Sequence, residues 1–374
     1  MNKNVLAGML VALPGAIMAQ TAIDAYSISQ NDLRGSARFM SMGGAFTALG
    51  GDISTLNQNP GGIGVYRSSD LSATLDITMQ SSKFRAGGFS NTENHTNVGC
   101  NSFGYVGAVN LGSNSAMPFF NWGASYSRLA SFDRRYSGSM GAIATSLTNL
   151  VADFTNADSW HQNELYSNDY NVFNPYLDGG APWTSILMYS AYGINPVSPD
   201  ANSYIGLYDY NRSVGSAAVS VEEKGHVDEY SINFGGNFSD VVYWGIGFGI
   251  TDIDYRSRTF YSESIDNANV PAPNGSTDSY TSGTADYTLG NYKHIWGSGF
   301  NFKAGLIFKP INEFRLGIAV HTPTYYNLSY EGSGSMTYAY QSGAYGQGQT
   351  LKGTEVTDEG YLDEFDWKSR TPWR

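Results

Sequence analysis

The feature that most constrains this 374-residue chain is a strict two-residue alternation, repeated in segment after segment. Leu71, Ala73, Leu75, Ile77 and Met79 are apolar and the residues between them are polar. The same pattern runs through Phe103–Leu111, Phe120–Arg128, and more weakly Ala217–Glu223. Tyr230, Ile232, Phe234 and Phe238 share one face. After Ser239-Asp240, Val242, Trp244, Ile246, Phe248 and Ile250 share the next. Phe302–Phe308, Leu316–Val320 and Tyr326–Tyr340 complete the series. A period of two is the signature of a β-strand with chemically different faces. These segments run to about 9–13 residues, where strands of soluble sheets are nearer 5–6. A tilted strand crossing a bilayer needs about 9–11. Aromatic and aliphatic residues on one face, with Ser, Asn, Thr and Gly on the other, are what a strand needs with lipid on one side and a polar interior on the other. A soluble β-sandwich also alternates. Strand length and the asymmetry of the connections favour an antiparallel transmembrane β-barrel instead.

That asymmetry is plain. The connections at Phe238–Val242 and Lys309–Phe314 are tight, whereas Ser137 to Asn211, Arg256 to Asp286 and Gln341 to Trp367 read as long loops. The longest, 137–211, contains two helical patterns. One places Ile143, Leu147, Leu150, Val151 and Phe154 on a common face, the other Trp183, Ile186, Leu187, Ala191 and Ile194. Two short amphipathic helices can pack on each other or offer an apolar landing surface, and spacing supports both.

Composition narrows the function. Charged residues make up 14%, against about 25% in an ordinary soluble domain. Aromatic residues make up another 14%, and the net charge is -12. Such a chain lacks the clustered Lys and Arg that nucleic acid requires. Its one cysteine, Cys100, can make neither an intramolecular disulfide nor a thiolate metal site. The first 20 residues read as a cleaved export signal: Lys3, then the apolar stretch Val5–Met18, then Ala19-Gln20. At about 14 residues that stretch is short of the roughly 20 a spanning helix needs.

No motif supplies chemistry. Gly61-Gly62-Ile63-Gly64 lacks the Lys-Ser/Thr of a phosphate loop and precedes a strand. Gly245, Gly247 and Gly249 line one strand face and suit close packing. The five histidines, at 95, 161, 226, 294 and 321, show no paired spacing. The sequence therefore predicts no catalytic residues, no metal and no cofactor.

One stretch carries a family likeness. In "GSARFMSMGGAFTALGGDISTLNQNPGGIGVYRSSDL" (Gly35–Leu71), Met42-Gly43-Gly44-Ala45, Asp52 and Asn59-Pro60-Gly61-Gly62 stand immediately before the first strand. This resembles the N-terminal signature of the FadL/TodX outer-membrane transporters of hydrophobic compounds, with Gly61 where the family usually has Ala. Arg315–Tyr330 resembles a later strand of that family. The resemblance implies a monomeric 14-stranded barrel in the outer membrane of a Gram-negative bacterium, plugged by a small N-terminal hatch. Transport would be passive, and the cargo a hydrophobic molecule such as a long-chain fatty acid or aromatic hydrocarbon. On this reading 21–66 is the hatch, with Gly43, Gly44, Asp52, Asn59, Pro60 and Gly61 shaping and gating it, and 67–374 is the barrel. Leu147, Leu150, Phe154, Ile186 and Leu187 of the loop helices would meet the ligand. The partners expected are that ligand and membrane lipid. The alternatives are a haem receptor, or an adhesin or structural barrel. The alternation supplies nine or ten strands, so about four of the family's fourteen are expected to be missing beyond Arg374.

Overall fold

A computed structural model describes residues 26 and 28–368, except 87–88, 113, 199–201, 273–279, 347–348 and 358–360. Residues 1–20, expected to be an export signal, and the final residues 369–374 lie outside the described residues.

Among the described residues thirteen strands follow one another. They are β1 (Asp70–Ala86), β2 (Phe89–Asn110), β3 (Phe119–Ser131), β4 (Arg134–Met140), β5 (Ile194–Pro196), β6 (Tyr204–Gly206), β7 (Val214–Phe238), β8 (Val242–Pro271), β9 (Tyr280–Ile311), β10 (Phe314–His321), β11 (Tyr325–Gln341), β12 (Thr350–Val356) and β13 (Tyr361–Lys368). All but β5 and β6 belong to one antiparallel sheet with the order β1-β2-β3-β7-β8-β9-β11-β12. The remaining three continue strands already in that order. β4 follows β3 along β7, β10 precedes β11 along β9, and β13 follows β12 along β11. The sheet is open, with β1 at one edge and β10, β12 and β13 at the other.

The tight connections form as the sequence indicates. Between β7 and β8 the turn residues Ser239 and Asp240 have φ of 51° and 57°, the double left-handed geometry that matches the twist of paired strands. The long connections need correction. β8 and β9 pair without a break from Val242↔Phe308 to Asp266↔Thr284 and, past a bulge, on to Pro271↔Tyr280, so most of 256–286 is strand. β12 and β13 likewise occupy much of 341–367. The third connection is a true insertion, but β4 continues to Met140, so it begins later than residue 137.

The reason is visible in the side chains. Along β8 the residues facing out are Val242, Trp244, Ile246, Phe248 and Ile250, and then Asp252, Asp254, Arg256 and Arg258. The inward positions are Gly245, Gly247 and Gly249, and then Ile253, Tyr255, Tyr261 and Ile265. The alternation runs on to the bulge after Asp266. Beyond residue 250 its sense inverts, because the inner face there is largely apolar and the outer face, Phe260 apart, is polar.

The N-terminal segment carries helix α1 (Ala37–Ser41), and the insertion carries α2 (Leu147–Ala157), α3 (Gln162–Leu165) and α4 (Trp183–Ser190). The insertion and the far ends of β7, β8, β9 and β11 share one hydrophobic core. A second core, around Phe132, Ile253, Tyr255 and Ile295, lies nearer the turns, and a third, around Ile53, Ile63 and Val106, seats the N-terminal segment.

Candidate functional site

The N-terminal segment binds the inner face of the sheet through backbone. Asn59 begins the 3-10 turn Pro60–Val65: its Oδ1 accepts the Gly61 amide at 2.8 Å, which replaces a hydrogen bond the turn's first residues otherwise lack. Its Nδ2 donates to the Thr47 carbonyl at 2.6 Å and to the Leu306 carbonyl of β9 at 3.3 Å. One side chain therefore caps the turn, ties it to the preceding loop and fastens it to the wall. Asn121 of β3 grips the other end, its Nδ2 donating to the carbonyls of Ile63 (2.7 Å) and Tyr66 (2.9 Å).

This contact depends on glycine in the wall. A Cβ built on Gly305 would stand 1.8 Å from Asn59 Oδ1, and one on Gly245 would stand 2.1 Å from the Pro60 carbonyl oxygen. Gly317 is as crowded by Thr47 of the segment. The glycines of β8 thus serve close packing. Asp52 caps the other 3-10 turn, Ile53–Thr55, accepting the Ser54 amide at 2.9 Å and the Ser36 hydroxyl at 2.5 Å. Gly43 and Gly44 reverse the chain after α1 with φ of 61° and 74°, a conformation that is strained for other residues. All six residues predicted to shape the segment thus lie in its turns and caps.

Below the segment the inner face is polar and buried. Lys303 of β9 forms an ion pair with Glu229 of β7 and reaches Asn57 Oδ1 of the segment at 3.4 Å. Asn301 Nδ2 donates to Glu229 Oε2 at 3.0 Å. Asn233 Oδ1, Asn301 Oδ1, Thr251 Oγ1 and Ser127 Oγ are buried without a protein partner among the described residues. Oxygens left this way are the usual hosts of ordered water. Sequence reasoning missed the Glu229–Lys303 pair. Both residues sit at inward positions of their strands, but their meeting requires the register of β7, β8 and β9.

The insertion is fastened to the far end of the sheet by a second buried carboxyl. Glu263 of β8 is 3% exposed. Its Oε1 accepts the Leu147 amide at the start of α2 (2.9 Å) and the Tyr261 hydroxyl (2.6 Å). Oε2 has no protein partner among the described residues. Burial pushes this carboxyl above the ordinary range, and the nearby hydroxyls of Ser146, Tyr261 and Tyr287 and the Leu147 amide offset that only in part. It stands thirteen residues beyond Ile250, outside the apolar outer stretch.

Of the five residues expected to meet a ligand, Leu147, Ile186 and Leu187 are buried in the core of the insertion. Leu150 packs at its margin, and Phe154 is exposed on α2. The helices pair through Thr155, whose hydroxyl donates to Ser185 Oγ at 2.8 Å. In this conformation three of the five are packing residues, and Phe154 alone is clearly at the surface.

The histidines are dispersed. His95 is 2.9 Å from Asp133, His226 lies between Asp228 and Asp252, and His294 stacks on Trp296. His161 caps α3, and His321 meets the Gln58 carbonyl. No cluster of metal-ligating side chains occurs among the described residues, and no described helix is long and apolar enough to cross a membrane. No protein-family model, curated protein or solved structure matches the chain.

Proposed function

We propose that this chain forms the plugged wall of an outer-membrane β-barrel that passes small hydrophobic molecules without catalysis or energy coupling. The observation that carries the reading is the outer face of the sheet. On β8 it is apolar from Val242 to Ile250 and on β1 from Leu71 to Met79, and Leu75 and Met79 are 76% and 80% exposed. Water has no use for such a surface, whereas lipid requires it.

The two apolar windows are offset in a way that suits a bilayer. Across the ladder Leu71 pairs with Tyr105, Tyr105 with Ala124, Ala124 with Ile232, and Ile232 with Phe248. The first residue of the β1 window is therefore level with the fourth outward residue of the β8 window. That offset is six residues, or about 20 Å along the strand, over four strand spacings of about 19 Å in all. A flat apolar slab would cut strands in this way if they crossed it at about 45°, the tilt expected of membrane barrels.

Residues 28–66 then act as the plug, bound to the polar inner face by Asn59 and the glycine contacts. An apolar ligand would first meet Phe154 and Leu150 on α2, and Leu147, Ile186 and Leu187 would become available when α2 and α4 separate. The plug must shift for passage, which would break the Asn59 and Asn121 hydrogen bonds and the small core around Ile53, Ile63 and Val106 that seat it. In lipid, the open edges at β1 and at β10, β12 and β13 need partners, because unpaired backbone groups are not tolerated there.

Native mass spectrometry of the full-length protein, purified from its own membrane, tests the reading. The expected result is a co-purified apolar molecule released on activation. Steady ion conduction with no bound apolar molecule would replace the transporter with a general pore.

A further inference from the structure

We propose that Lys303 of β9 and Asn57 of the N-terminal segment join side chain to side chain in an isopeptide bond, which the protein forms by itself with Glu229 as the proton carrier. The proposal rests on the buried cluster beneath the segment and does not need the outer face of the sheet to lie in lipid.

Three groups stand together there. Among the described residues Lys303 is the one buried lysine, 4% exposed, and Glu229 is 3% exposed. Lys303 Nζ pairs with Glu229 Oε1 and lies 3.4 Å from Asn57 Oδ1. Asn301 Nδ2 holds the other carboxylate oxygen, Oε2, at 3.0 Å, so Oε1 is left facing the amine. The meeting follows from the docking two residues away. Asn59 reaches the Leu306 carbonyl and packs on Gly305. Two residues before Asn59 and Gly305, Asn57 faces Lys303. A salt bridge needs only the amine and the carboxylate. Acylation also needs an amide carbon presented to the same nitrogen, and Asn57 supplies one.

The step is an aminolysis. Glu229 takes a proton from the Lys303 ammonium, and the free amine attacks Cγ of Asn57. The Nζ–Cγ bond forms and the Cγ–Nδ2 bond breaks. The departing nitrogen gains the two protons that Nζ gives up, both by way of Glu229, and leaves as ammonium, so Glu229 ends as it began. No electrons are transferred and no other reactant enters. A lysine beside a base is a common covalent nucleophile. Between free groups the reaction is negligible. Held in place, they gain an effective concentration on the order of 10⁵ M, and burial keeps water from competing. Asn57 is only half-buried, which leaves the ammonium an exit. The product ties the segment to the wall at one residue. The segment can then swing about residue 57 without being lost.

Peptide mapping of the folded full-length protein by mass spectrometry, after boiling and digestion, tests the proposal. It should yield a branched peptide that joins residue 57 to residue 303 and is lighter than its two parts by one ammonia. Lys303→Arg, which keeps the positive charge, and Asn57→Ala should each abolish it. Glu229→Gln should slow its appearance, in protein refolded from urea into detergent, by about 100-fold or more. Asn57→Asp should still give the branch, now with loss of water in place of ammonia. Circular dichroism checks that each variant is folded, and the parent alone decides the matter where one is not. Separate, unlinked peptides from the folded parent would overturn the proposal. So would loss of ammonia at Asn57 without a branch, which is a cyclic imide. A branch that forms as fast in Glu229→Gln would overturn the role given to the carboxylate.

Discussion

Gly305→Ala is expected to release the N-terminal segment from the wall. The added methyl would stand 1.8 Å from Asn59 Oδ1, so the Asn59 side chain must leave. With it go its bonds to the Gly61 amide and to the Thr47 and Leu306 carbonyls. Overpacking costs about 1–3 kcal/mol and each buried group left unpaired about 1–3 more, so docking should weaken by about 4 kcal/mol. Limited proteolysis should then cut between residues 46 and 66, and ion conductance across a bilayer should rise. Gly343→Ala, where a Cβ meets nothing within 4 Å, should behave as the parent. Asn59→Ala/Gly305→Ala removes the clash but not the loss of hydrogen bonds, and should recover part of the protection. A Gly305→Ala protein with an unchanged cleavage pattern would mean that the close approach does not hold the segment.

The second large effect is expected at Glu263. Glu263→Leu removes the acceptor for the Leu147 amide and the Tyr261 hydroxyl, and each unpaired buried donor costs about 1–3 kcal/mol. Amide exchange along α2 should accelerate by about 100-fold, which corresponds to about 3 kcal/mol. Glu263→Gln keeps an oxygen acceptor and should keep most of the protection.

The carboxyl also gives the docking a pH dependence of definite sign. Burial raises it in the folded state, so the folded protein holds a proton that the unfolded one loses. Protection of α2 should be greatest below the ordinary glutamate pKa of about 4.3. It should fall as pH rises from there toward the raised value, and then level off. Glu263→Gln should abolish the slope. A slope that persists in Glu263→Gln would assign the pH dependence to another group.

The wall was legible in the sequence where its outer face is apolar. Leu71–Met79 and Val242–Ile250 announce themselves because outward and inward residues differ in kind. From Arg256 the same strand reads as a loop, since the apolar series ends at Ile250 and charged residues follow it. The clue was there in Ile253, Tyr255, Tyr261 and Ile265, which alternate on the other face. A pattern that changes sense looks like no pattern to a reading that expects one fixed face.

The turn at Asn59-Pro60-Gly61-Gly62 was legible as a turn, because Asn and Pro suit caps and Gly suits close approach. Its partner on the wall was not, because Gly305 lies far off in sequence and meets Asn59 only once the sheet forms. The same holds for Glu229 with Lys303 and for Glu263 with Leu147. Helical spacing found α2 and α4 but could not say which side of each is covered. Leu147, Ile186 and Leu187 prove to be core, and Phe154 surface.

The central claim is that the outer face of the sheet is seated in lipid. Spin labels placed singly at Leu75→Cys, Phe248→Cys and Arg258→Cys, in a Cys100→Ser background, test it most directly in phospholipid vesicles. The account predicts that the labels at 75 and 248 collide with oxygen and are shielded from a water-soluble nickel reagent, while the label at 258 shows the reverse. Labels at 75 and 248 that are as open to nickel as the one at 258 would contradict it.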